Sequence, residues 1–159
     1  MRVYLPSTLP GLHALLEAGV LGEAPMPAYA VTPALREWYA EGDLEELEYA
    51  ALSLAARASV RLLDADQDAV RRRVVVIAEV PDDAVTPAVH VDRAAVKVAS
   101  DVPLRLVQAV HVDDPEAIED VTVAADAVVE ADLGSDDADR KSTRLNSSHG
   151  MSSRMPSSA

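Results

Sequence analysis

The hydrophobic positions in the first part of the chain switch between the period of strands and the period of helices. An apolar, partly β-branched run over residues 1–5 predicts an N-terminal strand that a proline stops. Four leucines at helical spacing follow Thr8, a suitable helix cap, and precede Gly19, a suitable helix end. Residues 22–27 are broken by prolines and predict a loop, and residues 28–31 predict a short second strand.

Two helix starts then follow one another. Thr32, with a proline after it, predicts a helix that ends at Gly42. Asp43 begins a second helix that is expected to run to about Leu63 and to be the longest element. Several apolar positions of this second helix share one face and are expected to be buried. They are Leu44, Leu47, Ala51, Ala55, Ala58 and Leu62.

The pattern after the second helix is mainly that of strands. Residues 74–78 form a continuous apolar run, typical of a strand covered on both faces, and are expected at the centre of the sheet. Residues 95–99 and 107–112 predict two further strands. Asp114 and the proline after it predict the start of a final helix. The apolar positions of that helix are Ile118, Val121, Ala125 and Val128.

The resulting order is β-α-β-α-α-β-β-β-α, which predicts an α/β fold. Strands that alternate with helices favour a parallel or mixed sheet, here of about five strands with helices packed on it. An α+β ferredoxin-like sandwich is the alternative.

Composition changes at residue 138. Residues 139–159 contain seven of the twelve serines of the chain and its only asparagine, whereas the preceding part is rich in Ala, Val, Asp and Arg. Residues 139–149 resemble one translated frame of a common sequencing adapter; a natural serine-rich terminus is the alternative. We therefore expect residues 1–138 to form a single α/β domain, truncated at its C-terminus, and residues 139–159 to be a disordered, artefactual tail.

The charge and composition exclude several classes of function. With 27 acidic against 14 basic side chains, the net charge of -13 would repel nucleic acids and anionic lipids, so neither is expected as a partner. The chain has no cysteine, which excludes disulfides and thiolate metal sites. No apolar run approaches the roughly 18 residues of a membrane span, and no signal peptide is recognisable, so a cytoplasmic protein is expected.

Motifs for cofactor binding and nucleophilic catalysis are missing from the sequence. The glycines are isolated, whereas phosphate-binding loops need them in clusters. The serines lack the context of a nucleophile elbow. We therefore expect no cofactor, assign no catalytic residue and favour a protein that is not an enzyme.

The first candidate site is formed by Arg36, Trp38, Tyr39 and Tyr49, beside the acidic run Glu45, Glu46 and Glu48. All the aromatic side chains lie in the first third of the chain, and these four residues combine aromatic rings with fixed charges. Such residues can line a ligand pocket or anchor a protein partner. Alternatively, the aromatic rings are the large core residues of an interior built mainly from Ala, Val and Leu.

The second candidate site is a repeated His-Val-Asp sequence. It occurs as His90 to Asp92 and again as His111 to Asp113. Because residues i and i+2 of a strand share a face, each pair would present an imidazole beside a carboxylate, which suits a divalent metal or an acid and base pair. Alternatively, the valines point into the core and the histidines and aspartates are solvated. The three arginines at 71–73 are likewise expected in solvent.

Five segments of the chain carry a resemblance when they are taken together: 1–6, 30–39, 43–51, 72–76 and 110–114. In these segments the chain resembles a small family of uncharacterised proteins from high-GC Gram-positive bacteria. The resemblance spans roughly residues 1–137, and it implies a compact domain of unknown function with no assigned activity, cofactor or catalytic residue. Members of the family continue with an acidic C-terminal segment that contains aromatic residues, and this chain departs from them there.

Two hypotheses of function follow from these candidates. The first is a small domain without catalytic activity that binds a protein partner or a small ligand through the region of Trp38 and Tyr39. The second is a small metal-assisted enzyme that uses both His-Val-Asp segments. An acidic mimic of nucleic acid would require a contiguous acidic stripe, and the acidic residues here are scattered. The identity of the partner and the oligomeric state are not set by the sequence.

Overall fold

The computed structural model describes residues 1–114, in which a six-stranded sheet carries helices on both faces. The strands are β1 (Arg2–Ser7), β2 (Val20–Leu21), β3 (Met26–Tyr29), β4 (Val74–Glu79), β5 (Val85–Pro87), β6 (Ala95–Val98), β7 (Val102–Pro103) and β8 (Val107–Val112). The helices are α1 (Leu9–Ala18), α2 (Pro33–Trp38) and α3 (Leu44–Ala65), with short 3-10 turns at Asp82–Ala84 and Leu104–Leu106. Within these residues, no helix has both the length and the apolar composition needed to cross a bilayer.

The strand order of the main sheet is β5-β6-β3-β1-β4-β8, and every described pairing is antiparallel. The predicted mixture of α and β elements is confirmed, but the expectation of a parallel or mixed sheet is wrong. A single helical crossover between β1 and β3 would have made them parallel. Instead β2 and a loop follow α1, which adds one reversal of chain direction, and β3 enters antiparallel to β1.

Three short strands were not predicted. β2 and β7 pair with each other as a separate ribbon, and β5 forms one edge of the main sheet. β1 also continues through Pro6 to Ser7, although the proline was expected to stop it. β3 pairs with β1 at Tyr4 alone, so the missing N–H of Pro6 costs no hydrogen bond on that side. The predicted final helix and the predicted tail lie outside the described residues.

The core has two layers because alternate residues of the strands face opposite sides of the sheet. Val3, Leu5 and Val76 are buried on one side together with Leu15 of α1. Tyr4, Val75 and Ile77 are buried on the other side beneath the alanines of α3. β4 is covered on both faces, as its apolar sequence predicted, but it lies next to the edge strand β8 rather than at the centre.

The buried face of α3 differs from the predicted one at both ends. Leu47, Ala51 and Ala55 are buried as expected, whereas Leu44 is 53% exposed, Leu62 is 41% exposed and Ala58 is only partly buried. The observed face advances in steps of four residues and includes the positions 47, 51, 55, 59 and 63. Small side chains on this face let α3 lie close to the sheet.

An ion pair lies buried where β4 begins and β8 ends. Arg73 is fully buried, with Nε 2.6 Å from Oδ2 of Asp113 and Nη2 3.0 Å from Oδ1. The expectation that Arg73 is solvated is therefore wrong, and Asp113 is also buried. The carboxylate of Asp113 offsets part of the hydration free energy that the buried guanidinium loses.

Candidate functional site

Two capped helices place the aromatic residues of the first candidate site. The side chain of Thr32 accepts a hydrogen bond from the backbone N–H of Leu35 (3.1 Å) and begins α2. Trp38 ends this helix, and only a short link separates it from α3. Asp43 begins α3 by accepting a hydrogen bond from the N–H of Glu46 (2.9 Å). Capping therefore fixes where the two helices begin, and Leu35 of α2 packs in one buried cluster with Leu47 of α3.

A cleft of about 290 Å³ lies between α2, α3 and the turn that precedes β6. Trp38, Tyr39 and Tyr49, three of the four predicted residues, line it, whereas Arg36 does not. Trp38 is 61% exposed, so it is not one of the core residues of the alternative interpretation. The residues that line the cleft are Leu35, Trp38, Tyr39, Glu46, Tyr49, Ala50, Ser53, Leu54, Arg57, Asp92 and Arg93.

Arg93 stacks on Trp38 at the rim of the cleft. Its guanidinium carbon lies 3.7 Å from the centre of the indole ring, which is cation–π geometry. The hydroxyl of Thr32 donates a hydrogen bond to the backbone carbonyl of Arg93, 61 residues away along the chain. The preceding residue, Asp92, accepts a hydrogen bond from the N–H of Ala94 (2.9 Å). The turn is therefore attached to α2 both by a bond from Thr32 to its backbone and by the stack of the Arg93 guanidinium on Trp38.

Sequence reasoning did not identify Arg93 as a site residue. Neither its neighbours nor its spacing marks it, because its contact with Trp38 exists only once the turn before β6 folds against α2. Asp92 was identified for a different reason, as part of a metal site, and it lines the cleft instead.

Charges in the cleft lining are balanced, unlike those of the whole chain. The lining contains two cations, Arg57 and Arg93, and two anions, Glu46 and Asp92, and otherwise carries no full charge. Tyr29 packs against the cluster that contains the cleft residue Leu35. Burial raises the pKa of Tyr29, which moves the ionisation of its phenol further above physiological pH. An anion therefore meets less repulsion in the cleft than the net charge of the chain implies.

The two His-Val-Asp segments lie at opposite edges of the sheet. His90 and Asp92 belong to the turn between β5 and β6, whereas His111 lies in β8 and Asp113 directly follows it. The argument that residues i and i+2 share a face fails in the turn, and Val91, expected in the core, is exposed. Within residues 1–114, no group of three or more His, Asp or Glu side chains is arranged to hold a metal ion. The fold therefore does not bring the four residues into one site.

A family model described as "Family of unknown function (DUF6912)" matches residues 1–148. The match includes all the described residues and extends past the composition change at residue 138. No curated protein and no solved structure matches the chain.

Proposed function

The chain belongs to this family of unknown function, and we propose that its domain is a binding module without catalytic activity, with the cleft beside Trp38 as its binding site. A small molecule or a short segment of a protein partner is the proposed ligand. The observation that carries this proposal is the position of Trp38, which is 61% exposed at the rim of a cleft rather than packed in the core. Exposed aromatic residues beside a concavity are the usual anchors of a binding site.

The lining of the cleft supports the same conclusion. Leu35, Ala50 and Leu54 provide an apolar surface, and Tyr39 and Tyr49 provide rings with polar ends. An apolar surface with a few polar groups around it is typical of ligand sites, which range from about 300 to 1,000 Å³. The cleft is at the small end of that range, so it suits a small molecule or one or two side chains of a partner.

The alternative of a metal-assisted enzyme has less support. It needs His90, Asp92, His111 and Asp113 in one place, and these residues lie at two edges of the sheet. In addition, the carboxylate of Asp113 accepts two hydrogen bonds from the buried guanidinium of Arg73. A binding site at the cleft needs no rearrangement of the fold.

A fragment screen followed by NMR tests the proposal on the full chain. We expect fragments with an aromatic ring to shift the backbone amide signals of α2, the first half of α3 and residues 92–94. Trp38→Ala should abolish these shifts. Leu16→Ala is the matched control, because Leu16 is also 61% exposed but belongs to α1. Shifts that scatter over the surface, or that persist in Trp38→Ala, would contradict the proposal.

A further inference from the structure

We infer that the cleft recognises a carboxylate that is attached to an aromatic or apolar group. The inference rests on the proposed binding function and adds the chemical class of the ligand. It depends on Arg93, on the balance of charge around the cleft and on the apolar part of the lining.

Arg93 presents hydrogen-bond donors at the rim that no residue of the described part of the chain engages. A guanidinium stacked on a ring engages the ring with its face and leaves its N–H groups pointing outward in its own plane. Within residues 1–114, no hydrogen bond or ion pair engages these N–H groups. The guanidinium of Arg73, by contrast, is occupied by Asp113. Arg93 is therefore a cation whose donors are available to a ligand.

The structure also fixes the position of Arg93. The hydrogen bond from Thr32 to its backbone carbonyl and the stack on Trp38 hold both ends of the residue. The backbone N–H of Ala95 donates to the carbonyl of Asp92 (3.1 Å), which closes the turn next to it. A guanidinium held in this way loses less conformational freedom when an anion binds. Two parallel hydrogen bonds to a carboxylate are the arrangement that its geometry favours.

The charge balance selects a carboxylate over a phosphate. Arg57 on α3 is a second cation of the lining, whereas Glu46 and Asp92 are anions. A ligand with one negative charge gains from the two arginines and meets limited repulsion from the two carboxylates. For a phosphate monoester, which carries nearly two charges at neutral pH, the attraction and the repulsion rise together, while the cost of removing the second charge from water is not offset by a lining without net charge. The apolar surface of Leu35, Ala50 and Leu54 then receives the uncharged part of the ligand.

Trp38 makes the inference directly testable, since it is the only tryptophan of the chain. Its fluorescence, excited where phenylalanine does not absorb, reports ligands that disturb the stack with Arg93. The probes are N-acetyl-phenylalanine, its C-terminal amide and phenyl phosphate, each titrated into the full chain. We expect saturable binding of the acid that is at least about tenfold tighter than that of the amide, and tighter than that of phenyl phosphate.

Arg93→Gln is the decisive variant, because glutamine keeps a planar group beside Trp38 and removes the charge. It should abolish the preference for the acid over the amide. Arg36→Gln is the matched control, since Arg36 is an arginine of α2, the helix that carries Trp38, but does not line the cleft. The control should keep the preference unchanged.

Two sources of the carboxylate are separated by a further pair of probes. An acetylated tetrapeptide that ends in phenylalanine is compared with its C-terminal amide. If the free peptide binds as tightly as N-acetyl-phenylalanine, the site accepts the C-terminus of a protein. If only the single amino acid binds, the site takes a free small carboxylate. Both outcomes support a carboxylate ligand.

Other outcomes would overturn the inference. Equal affinity for the acid and the amide, tighter binding of phenyl phosphate, or a preference that survives in Arg93→Gln would each refute the carboxylate while leaving a binding cleft in place. If none of the probes changes Trp38 fluorescence and the fragment screen also finds no binding at the cleft, the proposed function fails as well.

Discussion

The guanidinium of Arg73 and the carboxylate of Asp113 form a buried ion pair that joins the first residues of β4 to the end of β8. Two side-chain hydrogen bonds of 2.6 and 3.0 Å connect them, and the backbone N–H of Arg73 also donates to Oδ2 of Asp113 (3.1 Å). Arg72 donates from Nε to the backbone carbonyl of Asp113 (2.7 Å). These bonds hold the end of an edge strand whose other side has no partner among the described strands.

Asp113→Asn should lower the free energy of unfolding by about 3 to 5 kcal/mol, because it removes the carboxylate charge that pairs with the buried guanidinium of Arg73. Urea denaturation measures the change. Asp101→Asn is the control, since Asp101 is exposed and its substitution should cost no more than about 0.5 kcal/mol. The double variant Arg73→Met with Asp113→Leu should recover most of the loss. If both Asp substitutions have the same small effect, the ion pair does not stabilise the fold.

Leu47→Ala should destabilise the domain by about 2 to 5 kcal/mol, because it opens a cavity between α3 and the cluster that contains Leu35. Leu44→Ala, one turn earlier on the same helix, should cost less than about 1 kcal/mol because Leu44 is exposed. The two variants are compared by their midpoints in urea. A loss below about 1 kcal/mol for Leu47→Ala would contradict the assigned face of α3.

Thr32→Ala should both destabilise the domain and change the fluorescence of Trp38. Loss of the cap of α2 costs about 0.5 to 2 kcal/mol, and loss of the bond to the Arg93 carbonyl frees the turn that carries the stacked guanidinium. Thr8→Ala removes the cap of α1 and is the control. It should cost a similar amount of stability without altering the fluorescence. An unchanged Trp38 spectrum in Thr32→Ala would show that the hydrogen bond does not position Arg93.

The stability of the domain should fall as the pH rises above 10, in part because of Tyr4. Burial raises the pKa of Tyr4 to about 12, and a hydrogen bond from its hydroxyl to Glu48 (3.1 Å) adds to the shift. Between pH 10 and 12 the unfolded chain loses this proton while the folded chain keeps it. The unfolded state is therefore favoured by up to about 3 kcal/mol relative to lower pH.

Tyr4→Phe provides the comparison for this pH dependence. The variant should lose less unfolding free energy than the original protein between pH 9 and 11.5, when both are measured by urea denaturation. The unfolding free energy of Tyr4→Phe should still depend on pH in this range, because burial also raises the pKa of Tyr29. Identical pH dependence in the two proteins would show that Tyr4 ionises equally easily in the folded and unfolded states.

Local signals in the sequence were sufficient to predict where the helices begin. Thr8, Thr32 and Asp43 each cap a helix as expected, because a cap bonds to an N–H only three residues ahead. The apolar run of β4 was likewise sufficient to predict burial on both faces. The buried face of α3 was predicted correctly in its middle and incorrectly at Leu44 and Leu62, where the position of the sheet decides which side chains are covered.

The candidate site was only partly predictable for a related reason. Trp38, Tyr39 and Tyr49 could be selected because aromatic residues are few in this chain and lie near fixed charges. Arg93 could not be selected, because Thr32, which bonds to its carbonyl, is 61 positions away along the chain. The burial of Arg73 and Asp113 could not be predicted either, because these two residues are 40 positions apart. Caps and helical periods follow from atoms within about four residues of one another, so the sequence alone specifies them. Strand direction, the buried ion pair and the cleft arise from contacts between distant segments, which form only when the chain has folded.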